Sequence, residues 1–97
     1  MKATNDTRTG TDACTEELAA LINGARERID ALDEQIIALI LERNTVSAAV
    51  QEARISQGGH RVSLSREMEI LNHYRDALGK RGTALAMTLL ELSRGRV

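Results

Sequence analysis

The feature that most constrains this chain is a run of apolar residues at helical spacing that no proline interrupts. It starts at Leu18 and continues to Ala53. Because this period follows one face of an α-helix, we predict a helix from Thr15, a suitable N-cap, to the Gly58–Gly59 pair. A helix of about 40 residues is about 60 Å long. A compact chain of this size has a radius of gyration of only about 13 Å.

Two shorter helices are expected after the glycine pair. Ser63 or Ser65 can cap the first of them. Gly79 and Gly82 bracket a predicted turn, and the helix after it has the sequence TALAMTLLELSR. No segment has the pattern of a strand. The predicted fold class is therefore all-α, with one long helix plus two shorter helices.

The length of the first helix also predicts an oligomer. Two short helices cannot cover the whole apolar face of a much longer one, so the remainder must be buried by another chain. The simplest arrangement is an intertwined homodimer with two-fold symmetry. The alternative is a helix that breaks near residues 43–45, which would give a four-helix monomer.

Composition restricts the partners and the compartment. A formal net charge of −1, with no Trp and no Phe, argues against a nucleic-acid binder. No apolar run approaches the roughly 18 residues of a membrane span, and the start of the chain lacks the apolar segment of a secretory signal. The single cysteine, Cys14, suits a reducing compartment, so we expect a cytoplasmic protein without membrane contact.

The first 14 residues, MKATNDTRTGTDAC, show no hydrophobic period. We predict that they form a disordered arm and that residues 15–97 form one helical domain. No spacing of His60 and His73 indicates a metal site, and Cys14 has no His nearby in the sequence. Neither a metal nor a cofactor is therefore expected.

Arginine accounts for eleven of the 13 basic residues, and its position along the first helix is informative. Arg43 and Arg54 are eleven residues apart, close to three turns, so both project from one face and could hold one small anion. Arg26 lies about 25 Å from Arg43 along the helix and on another face. It could share the same ligand only from the second chain of an antiparallel pair. The ordinary alternative for each arginine is a solvated or paired surface position.

Three blocks of sequence resemble the all-helical chorismate mutases, most closely their intracellular actinobacterial type. The first and densest is ARERIDALDEQIIALILERNTVSAAVQEAR. The second is SREMEIL, at the start of the second helix, and the third is the closing Arg94-Gly95-Arg96. The resemblance covers roughly residues 21–96 and implies an intertwined dimer in which each active site takes one residue from the other chain.

The resemblance assigns the substrate carboxylates and the ether oxygen to the long helix. Arg26 would come from the partner chain and bind one carboxylate, while Arg43 would hold the other. Arg54 stands where many relatives have lysine and would donate to the ether oxygen. The substrate implied is a small dianion.

The remaining site residues implied by the resemblance lie on the shorter helices. Glu67 would accept a hydrogen bond from the C4 hydroxyl, and Arg66 would support the pocket. Arg94 would also be aimed at the ether oxygen. Ser63 would contribute through its backbone N–H.

The implied reaction is the [3,3] rearrangement of chorismate to prephenate, for which electrostatic and conformational preorganisation suffices without metal or cofactor. The resemblance also implies 3-deoxy-heptulosonate-phosphate synthase as a protein partner. Two alternatives remain at this point. One is a mutase for 4-amino-4-deoxychorismate in an antibiotic pathway, and the other is a non-catalytic helical dimer that serves as a regulatory module.

Overall fold

The computed structural model describes residues 2–60 and 63–94, with side chains from residue 13 onward. This part of the chain contains three helices and no strand: α1 (Lys2–Ser56), α2 (Leu64–Leu78) and α3 (Lys80–Ser93). The predicted all-α class, with one long and two shorter helices, is confirmed. The chain divides into two units, residues 1–37 and 38–97, and α1 contributes residues to both.

Helix α1 is longer than the sequence pattern predicts. It passes through residues 43–45 without interruption, so the four-helix alternative is wrong. There the Thr45 hydroxyl donates to the Leu41 carbonyl at 3.1 Å, a bond that the helix accommodates. The helix begins at Lys2 rather than at Thr15, and the absence of proline allows helical backbone through the segment predicted to be disordered. The boundary between arm and domain at residue 15 stays a prediction.

The C-terminal end of α1 is closed by the predicted glycine pair. Gly58 has a φ of 80°, and its N–H donates to the Ile55 carbonyl at 3.0 Å. The N–H of Gly59 donates to the Arg54 carbonyl at 2.7 Å. These two bonds form a Schellman cap, which holds the last turn of α1 and the backbone of Arg54.

Helix α2 begins at a side-chain cap and ends at a glycine. Ser63 is the N-cap, and its hydroxyl accepts from the Arg66 N–H at 3.4 Å, so Ser63 rather than Ser65 caps this helix. At the other end the Gly79 N–H donates to the Arg75 carbonyl at 2.7 Å. The chain then turns directly into α3.

Gly82 lies inside α3, which corrects the prediction that it borders the turn. Helix α3 begins at Lys80, immediately after Gly79. A Cβ on Gly82 would fall 2.3 Å from the Tyr74 carbonyl oxygen and 2.8 Å from the Leu78 Cβ. Gly82 therefore permits α2 and α3 to approach closely at their connection, and a single glycine forms the turn.

The buried residues lie on one face of α3. They recur at helical spacing and are Gly82, Ala86, Leu89, Leu90 and Ser93. Helix α2 supplies a half-buried face, and the two helices pack against each other. This packing is the hydrophobic core of the unit formed by residues 38–97, and it holds the start of α2 near the end of α3.

The apolar stripe of α1 is exposed in the single chain, although its period is the one predicted. Exposed apolar side chains of α1 occur in both units. They include Leu21 at 70%, Leu39 at 62% and Val46 at 58% exposure. None of the three helices has, within the described residues, a stretch long and apolar enough to cross a membrane.

Candidate functional site

A cavity of about 480 Å³ lies within the unit of residues 38–97. Its walls come from the second half of α1, from the beginning of α2 with its cap, and from the last turn of α3. The lining residues are Leu39, Glu42, Arg43, Val46, Ser47, Val50, Gln51, Arg54, Ser63, Arg66, Glu67, Ile70, Leu90, Ser93 and Arg94. Three separate elements thus converge on one concave surface, the usual form of a small-molecule site.

Most of the site residues predicted from the sequence meet in this cavity. Those that line it are Arg43, Arg54, Ser63, Arg66, Glu67 and Arg94. Arg26 belongs to the other unit, residues 1–37, and is exposed in the single chain. The structure therefore brings together every predicted residue except the one expected from a second copy of the chain.

The α1 wall is a polar face of the helix. Arg43, Ser47, Gln51 and Arg54 are all half-buried and follow one another at intervals of three or four residues. This spacing places them in one row. The shared face predicted for Arg43 and Arg54 is confirmed.

Sequence reasoning missed the residues between these two arginines. Ser47 and Gln51 occupy the same row, and Val46 and Val50 add apolar surface beside it. Continuing the helical period from Arg43 would have found them, because positions four and eight residues further on share its face. Leu90 and Ser93 required the tertiary structure, since only the packing of α3 brings them to the cavity.

The cavity carries a net positive charge that matches a dianion. Its charged lining consists of four arginines and two glutamates, namely Arg43, Arg54, Arg66, Arg94, Glu42 and Glu67, which leaves a formal surplus of two positive charges. Guanidinium groups bind carboxylates through two parallel hydrogen bonds, so this surplus can both attract and orient a small dicarboxylate.

One ion pair joins the two shorter helices inside the cavity. A guanidinium nitrogen of Arg94, the C-cap residue of α3, donates to the Glu67 carboxylate in the first turn of α2. Their side chains are only 28% and 20% exposed. Partial burial strengthens such a pair, and the N-terminus of α2 also favours a carboxylate at this position.

Arg66 is placed differently from its neighbour Glu67. Its guanidinium lies 3.8 Å from the Glu69 carboxylate, and both side chains are more than half exposed. Such a pair contributes little to stability because water screens it. Arg66 therefore borders the cavity and can turn toward a bound anion.

A hydrogen bond ties the α1 wall to the end of α3. The Gln51 side-chain amide donates to the Ser93 carbonyl oxygen at 3.2 Å and to the Ser47 hydroxyl at 3.3 Å. The Ser93 hydroxyl donates to the carbonyls of Leu89 and Leu90, each at 3.0 Å. The last turn of α3 is thereby fixed beside the row of polar residues on α1.

The described side chains contain no group of three or more His, Cys, Asp or Glu residues arranged to hold a metal ion. A ligand in the cavity could contact the arginine guanidinium groups, the partly buried carboxylate of Glu67 and backbone N–H groups at the start of α2. Fold and cavity together define an all-helical protein with a cationic cavity large enough for a small molecule.

Comparison with known proteins identifies the family. The model of the chorismate mutase type II family matches residues 25–90, more than half of the chain. The chain therefore belongs to this family and is an isomerase, and the resemblance seen in its sequence is confirmed.

Named relatives agree with this assignment. The intracellular chorismate mutase of Mycolicibacterium smegmatis is 49% identical over 76 residues, which are 78% of this chain and 73% of that protein. The intracellular chorismate mutase of Mycobacterium tuberculosis is 46% identical over 76 residues, covering 78% and 71%.

A solved structure shares the fold. It is a chain of the non-covalent complex of DAHP synthase and chorismate mutase from Corynebacterium glutamicum, with a bound transition-state analogue. The TM-score is 0.76 with 37% sequence identity, and the match covers 80% of this chain and 94% of that chain.

Proposed function

We propose that this isomerase binds chorismate in the cavity of residues 38–97 and rearranges it to prephenate. The observation that carries the proposal is the convergence of Arg43, Arg54, Arg94 and Glu67 on one cavity with a surplus of two positive charges. A non-catalytic helical module would have no need to gather these side chains. In the reaction the bond between the ether oxygen and the ring breaks, while the enolpyruvyl methylene carbon bonds to the ring carbon that bears the carboxylate. No atom enters or leaves.

The proposed roles divide into binding and transition-state stabilisation. Arg43 binds one carboxylate, and Arg26 of a second copy binds the other, which holds the flexible substrate in its folded, reactive form. Arg54 and Arg94 donate to the ether oxygen, where negative charge grows as the C–O bond breaks. Donors placed there stabilise the transition state more than the ground state and so raise kcat.

The residues at the start of α2 complete the proposed site. Glu67 accepts from the C4 hydroxyl. The Ser63 side chain caps α2 and its carbonyl accepts from the Glu67 N–H, so its proposed contribution to the ligand comes from its backbone N–H. Arg66 adds a cation at the edge of the cavity. No step requires a nucleophile, a metal ion or a cofactor.

The Arg94–Glu67 ion pair favours chorismate over 4-amino-4-deoxychorismate. An amino group at C4 would be a cation, and it would meet a carboxylate that already binds a guanidinium. Repulsion between the two cations in a partly buried site offsets part of the attraction between the ammonium and the carboxylate, whereas a neutral hydroxyl adds no charge. We expect a higher kcat/KM for chorismate, and a preference for the amino substrate would overturn this specificity.

We further propose an intertwined homodimer as the active form. This proposal is based on the exposed apolar stripe of α1, which includes Leu21, Ile29 and Ile36 at 70%, 54% and 51% exposure. A continuous apolar surface of this length is buried when soluble proteins associate. A second copy also supplies Arg26, which belongs to the unit that does not contain the cavity. A monomer at micromolar concentration by light scattering would contradict this proposal.

The relatives suggest a partner and a location. The similar Corynebacterium glutamicum chain comes from a complex with DAHP synthase, the 3-deoxy-heptulosonate-phosphate synthase, and the mycobacterial relatives are named intracellular. We propose that this chain also binds such a synthase, in the cytoplasm.

The test of the function is a direct assay. Purified protein is mixed with chorismate, and loss of chorismate and formation of prephenate are followed with and without the synthase. Turnover in either arm supports the proposal, and a rise in kcat/KM with the synthase supports the partnership. No turnover in both arms would overturn the function.

A further inference from the structure

We propose that Gln51 is a positioning residue that holds the last turn of α3, and through it the guanidinium of Arg94, at the reacting ether oxygen. The proposal rests on the function proposed above. The bond from the Gln51 amide to the Ser93 carbonyl at 3.2 Å is the observation behind it. Gln51 itself is not assigned a contact with the substrate's reacting atoms.

The bond lies where α3 needs support. The last four carbonyls of a helix have no partner within the helix, and Ser93 is the final residue of α3. Gln51 supplies a donor to this carbonyl from another helix. Arg94 follows directly, with its N–H bonded to the Leu90 and Glu91 carbonyls at 3.2 Å. Holding the Ser93 carbonyl therefore limits where the backbone of Arg94 can lie.

The Gln51 amide is itself held in place. Its nitrogen also donates to the Ser47 hydroxyl at 3.3 Å, one turn earlier on the same helix, and the residue is half-buried. Because the bond to Ser47 already restricts the amide, Gln51 loses little further freedom when it supports α3. The orientation of Arg94 is thus set from two sides, by Gln51 through the backbone and by Glu67 through the guanidinium.

The mechanism makes a specific kinetic prediction. Misplacement of a catalytic donor by about 1 Å can reduce the rate about 100-fold. Carboxylate binding by Arg43 does not depend on α3. Loss of the Gln51 donor should therefore lower kcat for chorismate about 10- to 100-fold and leave KM within about twofold.

The first variant is Gln51→Leu, which keeps the approximate volume and removes the amide. Thr88→Ala is the matched control, because Thr88 is on the exposed face of α3 and its hydroxyl donates to the Ala84 carbonyl of the same helix, at 3.2 Å. Circular dichroism checks that both fold. A fall in kcat for Gln51→Leu but not for Thr88→Ala supports the proposal, whereas wild-type kcat in Gln51→Leu overturns it.

A double-mutant cycle separates positioning from general destabilisation. If Gln51 acts through Arg94, the Gln51→Leu substitution should change kcat little in an Arg94→Ala background. Full additivity of the two losses would contradict the proposal.

A second variant tests the same hydrogen bond even if Gln51→Leu does not fold. Gln51→Glu has the same shape, but its ionised carboxylate cannot donate to the Ser93 carbonyl. The protonated acid can donate. The ratio of its kcat to that of the wild type should therefore rise as pH is lowered, and a ratio that does not change with pH would count against the bond.

Hydrogen exchange distinguishes a failure of this inference from a failure of the function. Amides at the end of α3 should exchange faster in Gln51→Leu than in wild type, whatever the substrate of the enzyme. Unchanged exchange overturns the positioning role even in an active enzyme. Faster exchange in a protein without mutase activity would retain the contact but reject the function.

Discussion

At the level of single residues, the arginines, Glu67 and Gln51 of the cavity are each suited to a different task. Arginines bring a planar cationic group that can form two parallel hydrogen bonds with a carboxylate, and Arg43 and Arg54 both line the cavity. Glu67 is held by Arg94 and by the start of α2, which keeps its carboxylate in place. Gln51 brings a neutral donor that reaches α3. Binding, polarisation and positioning are thus divided among neighbouring side chains.

Arg54 is the residue whose loss should affect catalysis most directly. Arg54→Ala removes a donor proposed for the ether oxygen, and such a loss lowers kcat about 10²–10³-fold. Helical content should stay the same, because the Schellman cap uses the backbone of residue 54 and not its side chain. Steady-state assays and circular dichroism measure both quantities.

Arg75→Ala is the control for this change. Arg75 is an exposed arginine on α2 that does not line the cavity, and its guanidinium pairs with the neighbouring Asp76 carboxylate at 3.8 Å. It should retain wild-type kcat. Normal turnover by Arg54→Ala would refute the role of this donor.

At the level of elements, the end of α1 and the start of α3 depend on glycines for different reasons. Gly58 adopts a φ of 80°, in the left-handed region that side chains with a Cβ avoid. Gly82 has an ordinary helical backbone but lies against the Tyr74 carbonyl. One position requires conformational freedom and the other requires space.

Gly58→Ala should lower the free energy of unfolding by about 1 kcal/mol, because alanine is strained at a positive φ. Gly58→Asn should lower it less, since asparagine tolerates this conformation. Urea unfolding at one protein concentration measures the difference. Equal stability of the two variants would show that the cap does not depend on the left-handed conformation.

Gly82→Ala should increase the distance between α2 and α3 at their connection. Its methyl group would meet the Tyr74 carbonyl oxygen at 2.3 Å, and such overpacking costs about 1–3 kcal/mol. Helical propensity acts in the opposite direction, by about 1 kcal/mol. We expect a net fall in Tm of a few degrees in thermal unfolding.

Gly24→Ala provides the matched comparison, since a Cβ there has no neighbour within 4 Å in the single chain. The same propensity gain of up to about 1 kcal/mol should leave its Tm unchanged or raised. A Gly82→Ala protein as stable as Gly24→Ala would mean that the two helices do not need this close approach.

At the level of the whole molecule, the proposed dimer makes each active site a product of two chains. Arg26 is in one unit of the chain and the cavity in the other. If Arg26 acts in the partner's cavity, each chain contributes to both sites. Dimerisation would then be required for catalysis as well as for burying the apolar stripe of α1.

Mixing two inactive variants tests this sharing. Arg26→Ala and Arg54→Ala should each be inactive alone, because each removes a residue from both sites of its own dimer. Unfolding and refolding an equal mixture should restore activity of about one quarter of the wild-type sites, since half the dimers are mixed and each has one intact site. No recovery in a mixture shown to contain mixed dimers would reject a shared site.

Much of this protein could be predicted from the spacing of its residues. The helical period of α1, the stop at Gly58–Gly59 and the shared face of Arg43 and Arg54 all follow from local rules, because a helix repeats every 3.6 residues whatever surrounds it. The site residues of α2 and α3 required the family resemblance as well. Glu67 and Arg94 are 27 residues apart, and no local period relates them.

The tertiary structure decided what the spacing left open. Whether Gly82 forms a turn or a contact depends on the distance between two helices, which no local pattern specifies. The Arg94–Glu67 pair and the bond from Gln51 to Ser93 exist because the packing of Ala86, Leu89 and Leu90 brings the end of α3 to the cavity. Backbone propensity acts over a few residues, so the sequence by itself determines the helices and their faces. A binding site is assembled by side-chain packing across the chain, so only the tertiary structure determines which residues meet in it.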